Sequence, residues 1–246
     1  MKKIGLVCIL LLLVLLTTTS AFAESKTVFV LFDVSRSTLG SRKEYLDGFK
    51  KILDIRSPGE ASQSRLGLRD AIAADVITAN SLSTSEMPIE HEFNYSFWSG
   101  LNETFYGYKS IAVKKHLAEE AKKLLFSQEA GGSDILNSLR LADRVFRRFK
   151  RDKSILVIFS DMIEQSGPYD FERDNLTNRR ITEIIRQERA KGLPGLKGVI
   201  VYVAGARAAS PTQFLKIRNF WLRYFRACGA VLDQDNYGRA FMGISR

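Results

Sequence analysis

The stretch Val28-Phe-Val-Leu-Phe-Asp-Val-Ser-Arg-Ser-Thr38 decides the fold of this chain. Its five leading apolar residues end at Asp33, and Ser35 and Ser37 follow at alternate positions. A short apolar run of this kind is typical of a strand that is buried on both faces of a parallel sheet. Ligands of open α/β sheets bind beyond the carboxyl ends of such strands. We therefore expect one carboxylate and two hydroxyls at a binding site, where they suit a magnesium-type ion.

Two later segments carry the same kinds of side chain. Gly131-Gly-Ser-Asp-Ile135 lies directly before a helical pattern, so the hydroxyl of Ser133 is expected at the start of a helix. Ser154-Ile-Leu-Val-Ile-Phe-Ser-Asp161 is a second buried-strand run, and it ends in an acid. The three segments together offer hydroxyl and carboxylate oxygens at strand ends and at a helix start.

This combination resembles the metal-ion-dependent adhesion site of von Willebrand factor A domains. That site combines Asp-x-Ser-x-Ser, a later Gly-Gly-Thr/Ser-Asp and a strand ending in Ser-Asp. The resemblance covers nearly all of the chain after residue 23 and implies that Ser35, Ser37 and Ser133 are hydroxyl ligands of Mg²⁺ (or Mn²⁺ or Ca²⁺). Asp33 and Asp161 would supply negative charge, directly or through water. A protein ligand would contribute an acidic residue that completes the coordination of the ion.

Two positions depart from the pattern of that family. Ser133 stands where Thr is usual, which keeps the hydroxyl but loses the methyl group that restricts its rotamer. Met162 follows Asp161 where Gly is usual, a change that could narrow access to the ion. The alternative interpretation of these segments is that Asp33 and Ser35 cap the first helix and that Asp161 only ends a strand.

Three charged residues flank the predicted ligands. Glu164 and Asp134 are interpreted as ordinary loop acids rather than as groups that tune the charge of the site. Asp134, or Ser133, is also a natural cap for the helix that follows. Arg36 lies between the two ligand serines, where it could contact an anionic partner or pair with a loop acid. Both interpretations of Arg36 stay open.

The rest of the chain alternates strands and helices. Apolar or alternating patterns predict further strands at 70–78, 89–95, 155–160, 198–204 and 229–232, the second of them an antiparallel edge strand. Helical spacing predicts helices at 41–53, 109–127, 135–149, 174–191 and 211–228, with an aromatic loop at 96–107. We therefore predict a doubly wound α/β fold with a mostly parallel six-stranded sheet and helices on both faces. Residues 24–246 are expected to form one domain.

The first 23 residues have the three-part organisation of a secretory signal peptide. Met1-Lys-Lys3 is followed by 13 apolar residues and by the triplet Ala21-Phe-Ala23, so cleavage is expected before Glu24. An uncleaved membrane anchor is the alternative, although the apolar run is short for a membrane span. The mature protein would then be exported, to the periplasm or the medium. It would keep Cys228 alone and therefore no internal disulfide.

The charge and the motifs bear on the class of function. The net charge of +10 becomes +8 without Lys2 and Lys3, which favours anionic partners and allows proximity to a membrane surface. We interpret the basic helix faces as solvated, and we expect no nucleic acid to bind. The chain has two histidines and no Gly-x-Ser-x-Gly, Walker or His-Glu-x-x-His motif.

The expected function is metal-dependent adhesion or protein–protein interaction, without catalysis. One alternative is a metal-dependent hydrolase that uses the same ion. The other is a scaffold that binds anionic partners through its basic helix faces.

Overall fold

The computed structural model describes residues 24–55, 66–67, 69–82, 87–94 and 103–244, with the backbone alone at 103–109. The predicted signal peptide, residues 1–23, lies outside the described residues, as does most of the predicted aromatic loop. In the described part of the chain, no helix combines the length and the apolar character that a membrane span requires.

Strands and helices alternate along the described chain. The strands are β1 (Lys26–Asp33), β2 (Ala71–Ile77), β3 (Ile89–Glu92), β4 (Lys153–Phe159), β5 (Gln165–Ser166), β6 (Tyr169–Asp170), β7 (Ile200–Ala204) and β8 (Tyr237–Gly238). The helices are α1 (Arg42–Ile52), α2 (Glu103–Ser127), α3 (Ile135–Arg148), α4 (Asn178–Ala190) and α5 (Pro211–Ala227). A 3₁₀ turn, Arg36–Ser41, joins β1 to α1.

Six strands form the main sheet in the order β3-β2-β1-β4-β7-β8. Neighbouring strands are parallel except for β2 and β3, which are antiparallel. The predicted α/β fold, with a mostly parallel six-stranded sheet and one antiparallel edge strand, is therefore confirmed. The chain adds β2 and β3 on one side of β1, and β4, β7 and β8 on the other. The carboxyl ends of β1 and β4 consequently meet at a topological switch point.

Side chains of β1 alternate between two hydrophobic cores, as the pleat of a strand requires. Phe29 and Leu31 belong to a core with residues of α3, α4 and α5. Val28, Val30 and Phe32 belong to a second core with residues of α1 and α2. Helices therefore cover both faces of the sheet, as predicted, and β1 is buried from its second residue to Asp33.

Some element predictions were wrong. Residues 229–232 do not form a strand, because Val231 makes only a single bridge to Ile200, and the sixth strand of the sheet is β8. Helix α2 begins at Glu103, inside the predicted aromatic loop. Helix α4 begins later than predicted, because Thr177 caps it by accepting the N–H of Arg180. The two-residue strands β5 and β6 form a hairpin that no sequence pattern indicated.

Candidate functional site

The five residues predicted as ligands lie together beyond the carboxyl ends of β1 and β4. Asp33 is the last residue of β1, Asp161 follows β4, and Ser133 lies just before α3. Ser37 is exposed, whereas the other four are buried. The cluster is therefore accessible to solvent on the side of Ser37.

Hydrogen bonds connect all five of these residues. The Ser37 hydroxyl donates to Oδ2 of Asp161 at 2.5 Å and lies 3.1 Å from Oγ of Ser35. The N–H of Ser35 donates to Oδ1 of Asp33 at 2.9 Å. The Ser133 hydroxyl lies 3.1 Å from both carboxylate oxygens of Asp33. Because Ser37 donates its proton to Asp161, it accepts the proton of Ser35. Ser37 and Ser133 each still keep a lone pair that is available for a cation.

Thr38 fixes the loop that carries the first two serines. Its hydroxyl lies 2.7 Å from the carbonyl oxygen of Asp33 and 2.9 Å from that of Ser35, and it donates to these acceptors. The side chain is fully buried. The turn that follows β1 is thus closed by a side chain of the same turn, as is common for Ser and Thr.

Arg42 fastens the same loop to the end of α2. Its guanidinium donates to the carbonyl oxygens of Val34 at 2.6 Å and of Leu125 and Gln128 at 2.8 Å. The side chain is only 2% exposed. The cation therefore compensates carbonyl groups at the carboxyl end of a helix, where a positive charge is favourable.

Ser160 also belongs to the cluster, although the sequence pattern did not predict a role for it. Its hydroxyl donates to Oδ2 of Asp33 at 2.6 Å and accepts the N–H of Met162 at 2.9 Å. It is fully buried. The residue forms part of the Ser-Asp pair at the end of the β4 segment, so the motif contained it, but only Asp161 was assigned a role.

Both acids of the cluster have raised pKa values. Burial, together with the negative charge of Asp161, raises the pKa of Asp33 to about 6, although hydrogen bonds from Ser160 and Ser35 lower it. Burial also raises the pKa of Asp161, against the effects of the Ser37 hydroxyl and the positive charge of Arg207. Two repelling carboxylates beside several hydroxyls form an environment that a divalent cation would stabilise. The residues present therefore fit such an ion.

Met162 adopts a left-handed backbone conformation with φ of +66°, which is uncommon for a residue other than glycine. Its side chain is fully buried in the core that contains α3, α4 and α5. Its carbonyl oxygen accepts the indole N–H of Trp221 at 2.9 Å. The bulk of Met162 is therefore accommodated in the core, and the turn after Asp161 is held by a hydrogen bond from α5.

Glu164 is not the ordinary loop acid that the sequence predicted, because its side chain is fully buried. Its Oε2 accepts the N–H of Ile135 at 2.9 Å and the N–H of Leu136 at 3.0 Å, in the first turn of α3. Its Oε1 is hydrogen-bonded to the Ser166 hydroxyl. Burial raises the pKa of Glu164 to about 8. The carboxyl group therefore satisfies helix N–H groups that would otherwise be buried without a partner.

Asp134 is also buried, at 2% exposure, so the loop-acid interpretation is wrong for this residue too. It caps α3 by accepting the N–H of Asn137 at 3.3 Å, which confirms the predicted cap. Its other contacts include the Asn137 amide at 2.9 Å and the Ser166 hydroxyl at 3.1 Å. We call Glu164 and Asp134 the closed acid pair, and Asp33 and Asp161 the open acid pair.

Arg36 pairs with Glu129, with Nε 2.7 Å from Oε1. Of the two alternatives for this residue, the structure therefore contains the pair with a loop acid. Several basic residues of the helices, and Arg151 in the loop after α3, are paired with acids as well, which reduces the positive charge of those faces. These pairs are Arg147–Asp143, Arg148–Glu90, Arg151–Glu92 and Arg180–Asp174.

Within the described ranges, no group of three or more His, Cys, Asp or Glu side chains could hold a metal ion. The candidate cluster differs from such a group, because it contains two acids and obtains its remaining oxygens from serines. Its donors are oxygen atoms, which hard ions such as Mg²⁺ prefer as ligands and softer metals do not.

No protein-family model and no curated protein sequence matches the chain. Solved structures do match. A point mutant of the PilB minor pilin from Streptococcus sanguinis is 12% identical, with 92% of this chain and 59% of that chain covered and a TM-score of 0.50. The SpaC pilus adhesin from Lactobacillus rhamnosus GG is 11% identical. The match covers 89% of this chain and 28% of that chain, with a TM-score of 0.49. A von Willebrand factor type A structure from Catenulispora acidiphila is 13% identical. The match covers 84% of this chain and 43% of that chain, with a TM-score of 0.44.

This chain therefore spans less than two thirds of each of these three structures. At such low identities the likeness concerns the fold alone. The sheet order, the strand directions and the match to PilB agree with the fold that the motifs predict. The chain therefore has a doubly wound α/β fold with a mostly parallel six-stranded sheet, and this fold is similar to that of the PilB structure.

Proposed function

We propose that this chain is an exported interaction domain that binds a divalent cation and, through it, an acidic side chain of a protein partner. The observation that supports the proposal is the hydrogen-bonded cluster of Asp33, Ser35, Ser37, Ser133 and Asp161 at the switch point of the sheet. Mg²⁺ is the proposed ion, since it takes oxygen ligands and keeps exchangeable waters. Mn²⁺ and Ca²⁺ are the other candidates.

The residues of the cluster divide into ligands and residues that orient them. The hydroxyls of Ser35, Ser37 and Ser133 are neutral, so they compensate little of the charge of a bound ion. Asp33 orients Ser133 and the N–H of Ser35, and Asp161 orients Ser37. An ion held by the three hydroxyls would supply a Lewis acid for a carboxylate oxygen of the partner.

The proposal is binding without catalysis. In the described part of the chain, the side chains of the five residues hydrogen-bond to serines, acids and backbone groups, and neither histidine is among their partners. A hydrolase that uses the ion to activate water would need a general base beside it. Export is proposed from the signal-peptide pattern of residues 1–23.

The test compares two charge-neutralising variants, one in the open acid pair and one in the closed acid pair. Asp33→Asn removes a carboxylate of the open acid pair and is expected to weaken Mg²⁺ and Mn²⁺ binding by about tenfold or more. Asp134→Asn keeps the helix cap, because Asn caps as well as Asp, and is expected to leave the affinity unchanged. Isothermal titration calorimetry measures both. An ion at 100 times its Kd should also stabilise the wild type by about 2.7 kcal/mol against urea.

Partner capture from an exported protein fraction completes this test. Capture should fall to background in excess chelator and in Asp33→Asn, and Asp134→Asn should capture normally. Wild-type protein that binds no divalent ion would overturn the proposal. Normal capture in excess chelator would overturn the adhesion part of it. Metal-dependent turnover of phosphoester or peptide substrates, lost in Asp161→Asn, would identify an enzyme instead.

A further inference from the structure

Arg207 lies at the same edge of the sheet as the open acid pair. It follows β7, and its backbone N–H donates to the carbonyl oxygen of Asp161 at 3.3 Å. Its Nη1 donates to Oγ of Ser41, at the start of α1, at 3.1 Å. The guanidinium also acts electrostatically on the Asp161 carboxylate. Arg207 therefore brings a positive charge to a site whose own side chains are acids and hydroxyls.

The backbone that carries Arg207 is held on both sides. The N–H of Gly205 donates to the carbonyl oxygen of Arg239 at 2.9 Å, and the N–H of Ala206 donates to that of Gly238 at 3.0 Å. Gly205 has a φ of +94°, and a Cβ atom at this position would lie 2.5 Å from the Tyr45 hydroxyl. This close approach to α1 requires glycine, and it fixes the direction from which Arg207 reaches the site.

The guanidinium of Arg207 has hydrogen-bonding capacity to spare. An arginine side chain has five N–H donors and no acceptor. Within the described ranges, the hydrogen bond of this guanidinium is the one to Ser41. The side chain is half-buried rather than extended into solvent. Donors are therefore left for a ligand at a position that the neighbouring elements define.

The charges around the site determine the net charge that Arg207 would leave there once an ion is bound. The carboxylates of Asp33 and Asp161 together would balance the charge of one divalent ion, and Arg207 would then leave an excess of positive charge. Glu172 also acts on Asp161, with the opposite sign, but it is exposed and therefore screened by salt. An excess of positive charge favours an anionic ligand over a neutral one.

We infer that Arg207 is a second anchor for the partner's carboxylate, and that it makes the site select a carboxylate over a neutral amide or hydroxyl ligand. The inference rests on the proposed function and adds to it a residue that sets ligand specificity. Arginine suits this role, since its planar fork matches the two oxygens of a carboxylate. The same positive charge repels a metal ion. Arg207 therefore weakens binding of the cation while it strengthens binding of the anion.

The test uses Mn²⁺ and acetate as probes with the full chain. Mn²⁺ is titrated by calorimetry in sodium chloride and in sodium acetate at equal ionic strength. In chloride, Arg207→Gln should bind Mn²⁺ about threefold more tightly than the wild type, because a nearby positive charge is removed. Acetate should tighten Mn²⁺ binding in the wild type, because two ligands that favour each other are reciprocally linked. This tightening should be lost in Arg207→Gln.

Two further variants separate charge from geometry. Arg207→Lys keeps the positive charge but loses the planar guanidinium with its paired N–H donors. It should therefore restore the wild-type Mn²⁺ affinity in chloride, but only part of the tightening of Mn²⁺ binding by acetate. Arg36→Gln is the control, since that arginine is already paired with Glu129, and both quantities should stay as in the wild type. Urea unfolding of each variant checks the fold.

The outcomes distinguish this inference from the proposed function. If Mn²⁺ affinity or the acetate effect is unchanged in Arg207→Gln, the inference is wrong while the metal site stands. Weaker Mn²⁺ binding in Arg207→Gln, or a full acetate effect in Arg207→Lys, would also overturn it. If the wild type binds no Mn²⁺ in either salt, the proposed function fails and the inference fails with it.

Discussion

Two pairs of acids lie near Ser133, beyond the carboxyl ends of the strands, and different sets of donors hold them. The open acid pair accepts hydrogen bonds from three serine hydroxyls, those of Ser37, Ser133 and Ser160. The closed acid pair accepts mainly from groups at the start of α3. A hydroxyl can offer a lone pair to a cation, whereas a backbone N–H can only donate. The open pair has three hydroxyl donors, whereas the closed pair has only that of Ser166 within the described residues. This difference, rather than the number of acids, separates a candidate ion site from a helix cap.

The closed acid pair shares one hydroxyl proton. Ser166 Oγ lies 3.1 Å from Oδ1 of Asp134 and is also hydrogen-bonded to Oε1 of Glu164. A hydroxyl has one proton, so it cannot make a full hydrogen bond to both carboxylates at the same time. If it donates to Asp134, a protonated Glu164 can complete the second contact by donating to Ser166. Burial raises the pKa of Glu164 to about 8, which agrees with this arrangement.

Glu164→Gln has the largest expected effect on this comparison. Between the unfolded-state pKa of 4.5 and the folded-state pKa of about 8, the folded chain keeps a proton that the unfolded chain has lost. The free energy of unfolding therefore falls as pH rises through this range, by an amount on the order of 4 kcal/mol. Gln reproduces the protonated acid, since its oxygen accepts and its amide donates. Urea unfolding at pH 5 and pH 9 should show a smaller decline in the variant.

Other groups also contribute to the pH dependence, so the difference between wild type and variant is the quantity to measure. Asp33 and Asp75 have pKa values raised to about 6, mainly by burial, and they act in the same direction in both proteins. Asp134, Tyr169 and Tyr224 are the charged or titratable groups coupled to Glu164, and burial keeps both tyrosines protonated throughout this range. Equal declines in the two proteins would mean that Glu164 is ionised in the folded state.

The sequence predicts both the sheet and the residues of the candidate ion cluster for one physical reason. Asp33 and Asp161 end long apolar runs, and Ser133 precedes a helix with a clear apolar face, so each lies beside a strong periodic pattern. Parallel strands then bring their carboxyl ends to one edge. The metal-binding role of these residues remains a prediction, since it depends on the resemblance to adhesion sites and on the geometry of the cluster.

The closed acid pair was only half predictable. Asp134 has a local pattern, because it stands directly before an apolar helix. Glu164 has none, since its N–H partners lie 28 and 29 residues earlier in the chain. Only the folded hairpin of β5 and β6 brings them together, and two-residue strands have no period to detect. The same absence of periodicity explains why β8 was placed wrongly, at 229–232.

Asp134→Ala has the next largest expected effect. Removing the cap should cost about 1 kcal/mol of stability, and Asp134→Asn should cost only a few tenths. Asp134→Ala also removes a negative charge that raises the pKa of Glu164, and it leaves the Ser166 hydroxyl free to donate to the Glu164 carboxylate. The pH-dependent decline in stability should therefore shift to lower pH in Asp134→Ala. Urea unfolding across the pH range measures both effects. An unchanged pH profile would mean that the two acids are not coupled.

Arg36→Gln has the smallest expected effect. It compares the exposed Arg36–Glu129 ion pair with the two buried acid pairs. The side chains of Arg36 and Glu129 are 82% and 46% exposed. Solvent and salt screen such a pair, so its removal should change the free energy of unfolding by no more than about 0.5 kcal/mol. Urea unfolding at low and high salt gives the comparison. The buried contacts of Thr38 and Arg42 already fix the loop after β1. A larger loss of stability would therefore mean that the exposed Arg36–Glu129 pair, rather than these buried contacts, holds the loop with the ligand serines in place.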